Sequence, residues 1–240
     1  MIIDMHCHIL PGIDDGARDE GSMERMLRIA NTEGIDAIVA TPHFTLGEDE
    51  KKVEAIKTKY ALARKAWKKR GSQKELYLGS ELLWGDGIVE ALDSGKALTM
   101  NGTSYVLVEF LPDAGAAYIE SAMRRLQYAG YLPIIAHVER YERLQSRKAL
   151  QGLVDMGVYL QVNVSTVLGK HGFFLKHRVL RWMQDGLIHF VGSDAHNSKT
   201  RRPEMKECAQ YLDKKLGVTK TRQILEENPM RMLEGEKLNG

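Results

Sequence analysis

Cysteine is scarce in this 240-residue chain, which has two, Cys7 and Cys208. Two thiols make no disulfide framework, and their scarcity fits a reducing compartment. Also missing is any apolar run that approaches the length of a membrane-spanning helix. The opening stretch, MIIDMHCHIL, has no basic segment, apolar signal core or small-residue cleavage site, so no secretory leader is expected. The expectation is a cytoplasmic protein without direct membrane insertion. No charge sign dominates: Lys and Arg number 34 against 32 Asp and Glu, a formal +2, which gives no reason to expect bulk nucleic-acid binding. Internal repeats, Gly/Ser or Pro-rich linkers and low-complexity tracts are missing too. With 43% apolar residues, ample for a packed core, the chain reads as a single domain over residues 1–240.

What is present is alternation. Strand-like runs lie at Ile2–His6, Asp36–Ala40, Leu76–Gly79, Val106–Glu109, Pro133–His137, Tyr159–Val162 and Ile188–Gly192. Several (AIVA, YVLV, PIIA, HFVG) are continuously apolar, as strands covered on both faces are. Helical patterns fill the gaps at Met23–Glu33, Glu50–Lys69, Ala116–Ala129, Arg147–Met156, Phe174–Gln184, Glu204–Leu216 and Lys220–Glu226. Glycines such as Gly34, Gly130 and Gly186 stand where these helices should end. Strict alternation implies βαβ units and a mainly parallel sheet, and seven strands suit a (β/α) barrel better than an open sheet.

The strand ends carry the chemistry. The residues at or just past them are His6 and His8, then His43, Glu81, Glu109, His137, Asn163, and finally Asp194 with His196. The C-terminal rim of such a barrel is where active sites are built. Residues two apart on an extended segment point to one face, so His6 and His8 can share an ion while Cys7 points into the packing. Imidazole and carboxylate donors without a thiolate cluster suit Mn, Fe or Zn. More than four ligands means more than one ion, and multi-metal sites favour phosphoryl hydrolysis. Asp14 and Asp15, in PGIDDG, read equally well as turn residues or ligands. Arg140 and Arg201 follow ligand candidates on rim loops, where a guanidinium can clamp phosphate oxygens, and Arg202 is the rival for that role. His171, His177 and His189 fall away from strand ends and are expected in a loop, on a helix surface and in strand packing. The basic stretch Lys51–Arg70, preceded by Glu48, Asp49 and Glu50, reads as a solvated helix whose charges complement its dipole.

The motifs MIIDMHCHILPGIDDGA, ATPHF, GSELLWG, LVEF, IIAHVERY, LQVN and FVGSDAHNSKTR together resemble the polymerase-and-histidinol-phosphatase (PHP) superfamily. Within it they are most similar to bacterial manganese-dependent protein tyrosine phosphatases encoded with capsule and exopolysaccharide genes. The resemblance runs from Met1 to about Arg231. It implies a distorted seven-stranded (β/α) barrel of TIM-like type holding three divalent ions. One ion would take His6, His8, Glu81 and Asp194; a second Glu81, Glu109 and His137; the third Asp15, His43 and His196. Asp14 would then be a turn residue or support a ligand. Arg140 and Arg201 match the phosphate-binding arginines, and Val138 departs from the proline common before that Glu-Arg pair. The implied reaction is direct hydrolysis of phosphotyrosine on the tail of a bacterial tyrosine kinase, with Asp194 and His196 as general-acid candidates. The alternative is histidinol phosphatase or another small-molecule phosphoesterase. A cysteine-based phosphatase is excluded, because such an enzyme needs Arg six positions after its Cys and this chain has Ile13 and Lys214 there.

Overall fold

A computed structural model describes residues 1–47 and 50–238. Glu48 and Asp49, expected to begin the acidic lead into the basic helix, lie outside the described residues. The strands are β1 (Ile3–Cys7), β2 (Ala37–Ala40), β3 (His43–Phe44), β4 (Glu75–Leu78), β5 (Glu81–Leu83), β6 (Tyr105–Glu109), β7 (Leu132–Ile135), β8 (Tyr159–Asn163) and β9 (Phe190–Gly192). The helices are α1 (Glu20–Thr32), α2 (Glu50–Lys68), α3 (Ile88–Asp93), α4 (Ala116–Tyr128), α5 (Arg147–Asp155), α6 (Val164–Val167), α7 (Phe173–Gln184), α8 (Lys206–Leu216), α9 (Val218–Arg222) and α10 (Asn228–Glu234). All strand pairs are parallel, in the orders β1-β2-β4 and β3-β5-β6-β7-β8-β9.

Two of the expected strands, Asp36–Ala40 and Leu76–Gly79, are each followed after a short break by a further strand that was not expected, β3 and β5. Thr41 and Pro42 separate β2 from β3, and Gly79 and Ser80 separate β4 from β5. Pro42 has no N–H to give to a ladder, and Thr41 turns its hydroxyl to accept from Cys7 N at 3.0 Å. The paths stay adjacent across the break, through Gly79 N to Ala40 O at 2.8 Å and Glu81 N to Pro42 O at 3.1 Å. Taking each broken path as one strand, seven follow in sequence order around a distorted barrel. The ends meet where Asp194 N donates to His6 O (2.8 Å) and His8 N to Ala195 O (2.9 Å).

The core has two parts. Ile3, Met5, Ala37, Val39, Tyr105, Leu107, Ile134, Ala136 and Phe190 gather inside the strands, with Met100, Met232 and Leu233 against them. A larger cluster, including Cys7, Ile38, Val106, Val108 and Ile135, lies between strands and helices. Period-2 alternation would keep Met5 and Cys7 on one face. Instead the β1–β2 register shifts between Asp4 and Cys7. Such an irregularity re-aims side chains, and here it puts Cys7 in the outer layer and brings His6 and His8 to the rim. Gly192 makes the β9–β1 approach possible, since a Cβ there would lie 2.6 Å from His6 Cβ.

His189 sits in strand packing, and its Nδ1 accepts from Leu160 N at 3.1 Å. Burial pushes its pKa from 6.5 down to about 4. A base depressed by folding must be neutral in the native state. The stability this contributes is complete above pH 6.5 and lost as pH falls toward 4, by up to about 3 kcal/mol. Urea unfolding across that window should show a steeper acid loss in the native protein than in His189→Gln. Parallel loss in the two would contradict the assignment.

Candidate metal centre

The side chains that the strands deliver to the rim converge on Glu81, which is 1% exposed. Its Oε2 lies 3.1 Å from His6 Nε2, 3.2 Å from His8 Nε2 and 3.2 Å from His43 Nδ1. Its Oε1 lies 2.8 Å from His137 Nε2. Glu109 reaches His43 Nδ1 at 2.9 Å and His137 Nε2 at 3.7 Å. Asp194 Oδ1 stands 3.7 and 3.6 Å from the Nε2 atoms of His6 and His8. Asp15 Oδ1, on a mostly exposed side chain, is 3.5 Å from His43 Nε2 and 3.3 Å from His196 Nε2.

The separations of 3.1–3.5 Å match those within a coordination shell, while His137 and Glu81 are joined by a hydrogen bond at 2.8 Å. Donors bound at roughly 2.1 Å to one ion lie about 3.0–3.5 Å from one another. Two buried atoms of the cluster, Glu81 Oε2 and His196 Nε2, have no hydrogen-bond partner among the described residues, which is costly unless something else satisfies them. The imidazoles are also oriented for ligation. His6 Nδ1 faces Gln161 Oε1 at 3.3 Å, His8 Nδ1 faces Asp14 Oδ2 at 2.8 Å, and His196 Nδ1 faces the Asp194 carbonyl at 2.9 Å. Each partner is an acceptor, so Nδ1 carries the proton and Nε2 turns its lone pair inward. The donor set fits divalent cations.

Three groups have their donor atoms close enough to hold an ion: His6, His8 and Glu81; His43, Glu81 and Glu109; and His8, Asp15, His43 and His196. These groups differ from the expected partition: Asp194 and His137 fall outside them, His43 takes the place of His137 beside Glu81 and Glu109, and His8 joins the third group. His43 faces Glu81 and Glu109 with Nδ1 and Asp15 with Nε2, so it stands between two groups, and the ring of His8 stacks on that of His196 with centroids 3.9 Å apart. Asp14 accepts from His8 and from the backbone of His43 and Gly16. Although burial opposes it, His8 brings the Asp14 carboxyl down to about 2.

Burial would also raise Glu81, but His6, His137 and His8 hold it well below the ordinary carboxylate range. Burial would lower His6 and His8, yet the carboxylates around them lift both to about 9. Metal affinity must therefore weaken in acid, where protons compete for the same nitrogens. His137 and Asp194 take left-handed backbone conformations, with φ 34° and 52°. Strain at non-glycine residues of this kind concentrates at functional sites.

Arg140 Nη2 donates to Asp194 Oδ2 at 2.6 Å, and Arg201 Nη2 lies 2.7 Å from Asp194 Oδ1. Asn163 Nδ2 donates to Oδ2 at 2.7 Å. Oδ2 thus accepts two hydrogen bonds and Oδ1 pairs with Arg201, which keeps Asp194 ionised. His196 is lowered to about 4 by burial and by nearby His8 and Arg201. The Val138 departure leaves the loop helical and buried, with Arg140 still reaching Asp194.

A cavity of about 360 Å³ opens beside these arginines. Arg202 lines it, but its Nε pairs with Glu204 and not with Asp194. His171, expected as an idle loop residue, is on the same wall. His177 stacks on Phe173 with centroids 4.2 Å apart. Sequence reasoning passed over Gln161. Its Oε1 accepts from His137 N at 2.7 Å, and its Nε2 donates to Asn163 at 2.8 Å. The signal was a buried polar residue inside the apolar run YLQVN.

Comparison with known proteins agrees with this geometry. The chain is 36% identical to the tyrosine-protein phosphatase YwqE of Bacillus subtilis, over 90% of this chain and 85% of that protein. It is 29% identical to the tyrosine-protein phosphatase CpsB of Streptococcus pneumoniae, over 97% and 98% of the two chains. Its fold superposes with a TM-score of 0.90, at 34% identity and over 99% of this chain and 96% of the other, on a crystal structure from work on YwqE and CpsB, described there as unique metal-dependent tyrosine phosphatases. A phosphotriesterase of Mycobacterium tuberculosis shares the fold alone, with a TM-score of 0.59 at 13% identity over 97% and 94% of the two chains. The family model for capsular polysaccharide synthesis, CpsB/CapC, matches residues 2–234, and this chain belongs to that family.

Proposed function

We infer that this protein is a metal-dependent protein tyrosine phosphatase acting on the phosphotyrosine tail of a bacterial tyrosine kinase of capsule or exopolysaccharide synthesis. The observation that carries the reading is the convergence of His, Asp and Glu donors on Glu81, with two of their buried atoms lacking a hydrogen-bond partner among the described residues, beside a cavity edged by Arg140 and Arg201. Likeness over nearly the whole chain to proteins named as tyrosine phosphatases supports it. His6, His8, Asp15, His43, Glu81, Glu109, His137, Asp194 and His196 would hold up to three ions, with Mn²⁺ the best match to nitrogen and carboxylate donors. Bound divalent ions supply water activation and charge neutralisation on the phosphoryl group.

Arg140 and Arg201 bind the phosphoryl oxygens and fix the in-line geometry. The leaving phenolate, whose parent pKa is about 10, needs less protonation than an alkoxide, so the ionised state of Asp194 does not hinder the step. Among the described residues no helix is long and apolar enough to cross a membrane, which is compatible with a cytoplasmic single-domain enzyme meeting a kinase tail there.

The test is turnover of metal-reconstituted protein on a phosphotyrosyl peptide beside histidinol phosphate. Chelation should abolish hydrolysis of the peptide, and Mn²⁺ should restore it best. Efficient turnover of histidinol phosphate with none of the peptide would replace this reading by the small-molecule one. Activity that survives exhaustive chelation, with no metal in elemental analysis, would remove both.

A further inference from the structure

The cavity beside the candidate metal centre extends past the groups that the reaction needs. Arg140, Asp194 and Arg201 line it, and so do Lys170, His171, Arg202 and Glu204. These last four come from two distant segments, the loop between α6 and α7 and the stretch before α8. Lys170 and Arg202 each pair with a different oxygen of Glu204. The Glu204 side chain is 13% exposed, while those of Lys170 and Arg202 are about half exposed, at 47% and 50%. His171 Nε2 faces Ser165 Oγ at 3.1 Å, and its ring too is open to solvent. The cavity wall thus holds four permanent cations against two carboxylates, Asp194 and Glu204. The Glu204 carboxylate sits between the outer two cations, one oxygen toward each.

We propose that Lys170, His171 and Arg202 form a second anion subsite, which takes a negatively charged side chain next to the phosphotyrosine being hydrolysed. It rests on the phosphatase reading above and adds a substrate class to it: phosphotyrosyl segments flanked by acidic or phosphorylated residues. Charge selects the ligand. Lys170 supplies a compact ammonium and Arg202 a planar fork, both suited to carboxylate and phosphate oxygens. Glu204 acts as an internal competitor that the incoming anion displaces. Phe173 and Phe174, two and three residues beyond His171, are exposed by 66% and 84%. An ester with no second anionic group gains nothing from this end, so the subsite distinguishes such a metabolite from an acidic polypeptide.

The experiment uses the Mn²⁺-loaded full chain and three peptides of one sequence around a central phosphotyrosine. One carries flanking Glu, one flanking Gln, and one a flanking phosphonomethyl-phenylalanine, whose C–P bond resists hydrolysis. The readout is the ratio of kcat/KM for each anionic peptide to that for the Gln peptide. The native enzyme should favour at least one anionic peptide by roughly fivefold, the upper range for half-exposed ion pairs. That preference should fade with added salt. The peptide that shows it identifies carboxylate or phosphate as the preferred group. Lys170→Ala and Arg202→Ala should bring the ratio toward one, and Glu204→Gln, which frees both cations, should raise it. A native ratio of one for both anionic peptides overturns the proposal, as does a preference that Lys170→Ala and Arg202→Ala leave intact. If none of the three peptides is hydrolysed while histidinol phosphate is, the phosphatase reading itself has failed and this proposal goes with it.

Discussion

Glu81→Ala is expected to lose bound metal and turnover together, to a greater extent than any other single substitution in the cluster. Its Oε2 is within 3.2 Å of His6, His8 and His43, and its Oε1 within 2.8 Å of His137. No other carboxylate in the cluster faces four imidazoles. Removing it takes the shared anion from two of the three donor groups. Losing the electrostatic role of a metal ion costs several kcal/mol of transition-state stabilisation, on the order of 10³-fold in rate. Losing a group that merely orients a ligand, such as Asp14 or Gln161, costs about 10–100-fold. Elemental analysis and single-turnover hydrolysis of a phosphotyrosyl peptide measure the two effects separately. Glu81→Gln keeps the shape and removes the charge, and should give the same result if packing is not the cause. A Glu81→Ala protein with full metal content and native rate would show that the centre is organised around another residue.

Arg201→Ala and Arg140→Ala should leave metal content intact and lower kcat/KM. Charge-assisted hydrogen bonds are worth roughly 1.5–3 kcal/mol, or on the order of 10–100-fold. Both side chains are about two-fifths exposed, so the fold should tolerate either change. The structure adds that the two share one carboxylate, with Arg140 on Asp194 Oδ2 and Arg201 on Oδ1. Groups with a common partner are not independent, so the double variant should not show the product of the single effects. Metal loss in either single variant would mean that the arginines act by holding Asp194 in place, and the phosphate-clamp role would fall.

The strand ends were legible because they are local. Each apolar run leads to a side chain able to bind a metal or another polar group, and the seven runs lie in chain order around the barrel. His6 and His8 could be paired from their spacing alone, whereas the outer-layer place of Cys7 depends on the shift in β1. What was not legible depends on contacts between distant segments. The two-residue β3 and three-residue β5 exist because β2 and β4 are interrupted together, and neither segment shows a period by itself. The register shift in β1 is set by its neighbour β2. The sharing of His43 between two donor groups depends on ring orientation, and the cavity wall of Lys170, His171 and Arg202 on two segments some thirty residues apart. Arg202 next to Arg201 looked like a spare copy of it; in the fold the two side chains serve different carboxylates.

The seam between β1 and β9 also bears on how the protein is made. Cys7 bridges to Ala195, and His6 and His8 exchange backbone hydrogen bonds with Asp194 and Ala195. A ribosome releases the first ligands of the centre long before the last, so the nascent barrel stays open along this seam until β9 has emerged. Closing so long a loop is slow, because its entropy is lost before any contact rewards it. Ions that bind only the closed form stabilise it by mass action. Metal present during synthesis would then favour completion of the barrel, apart from any part the ions play in turnover.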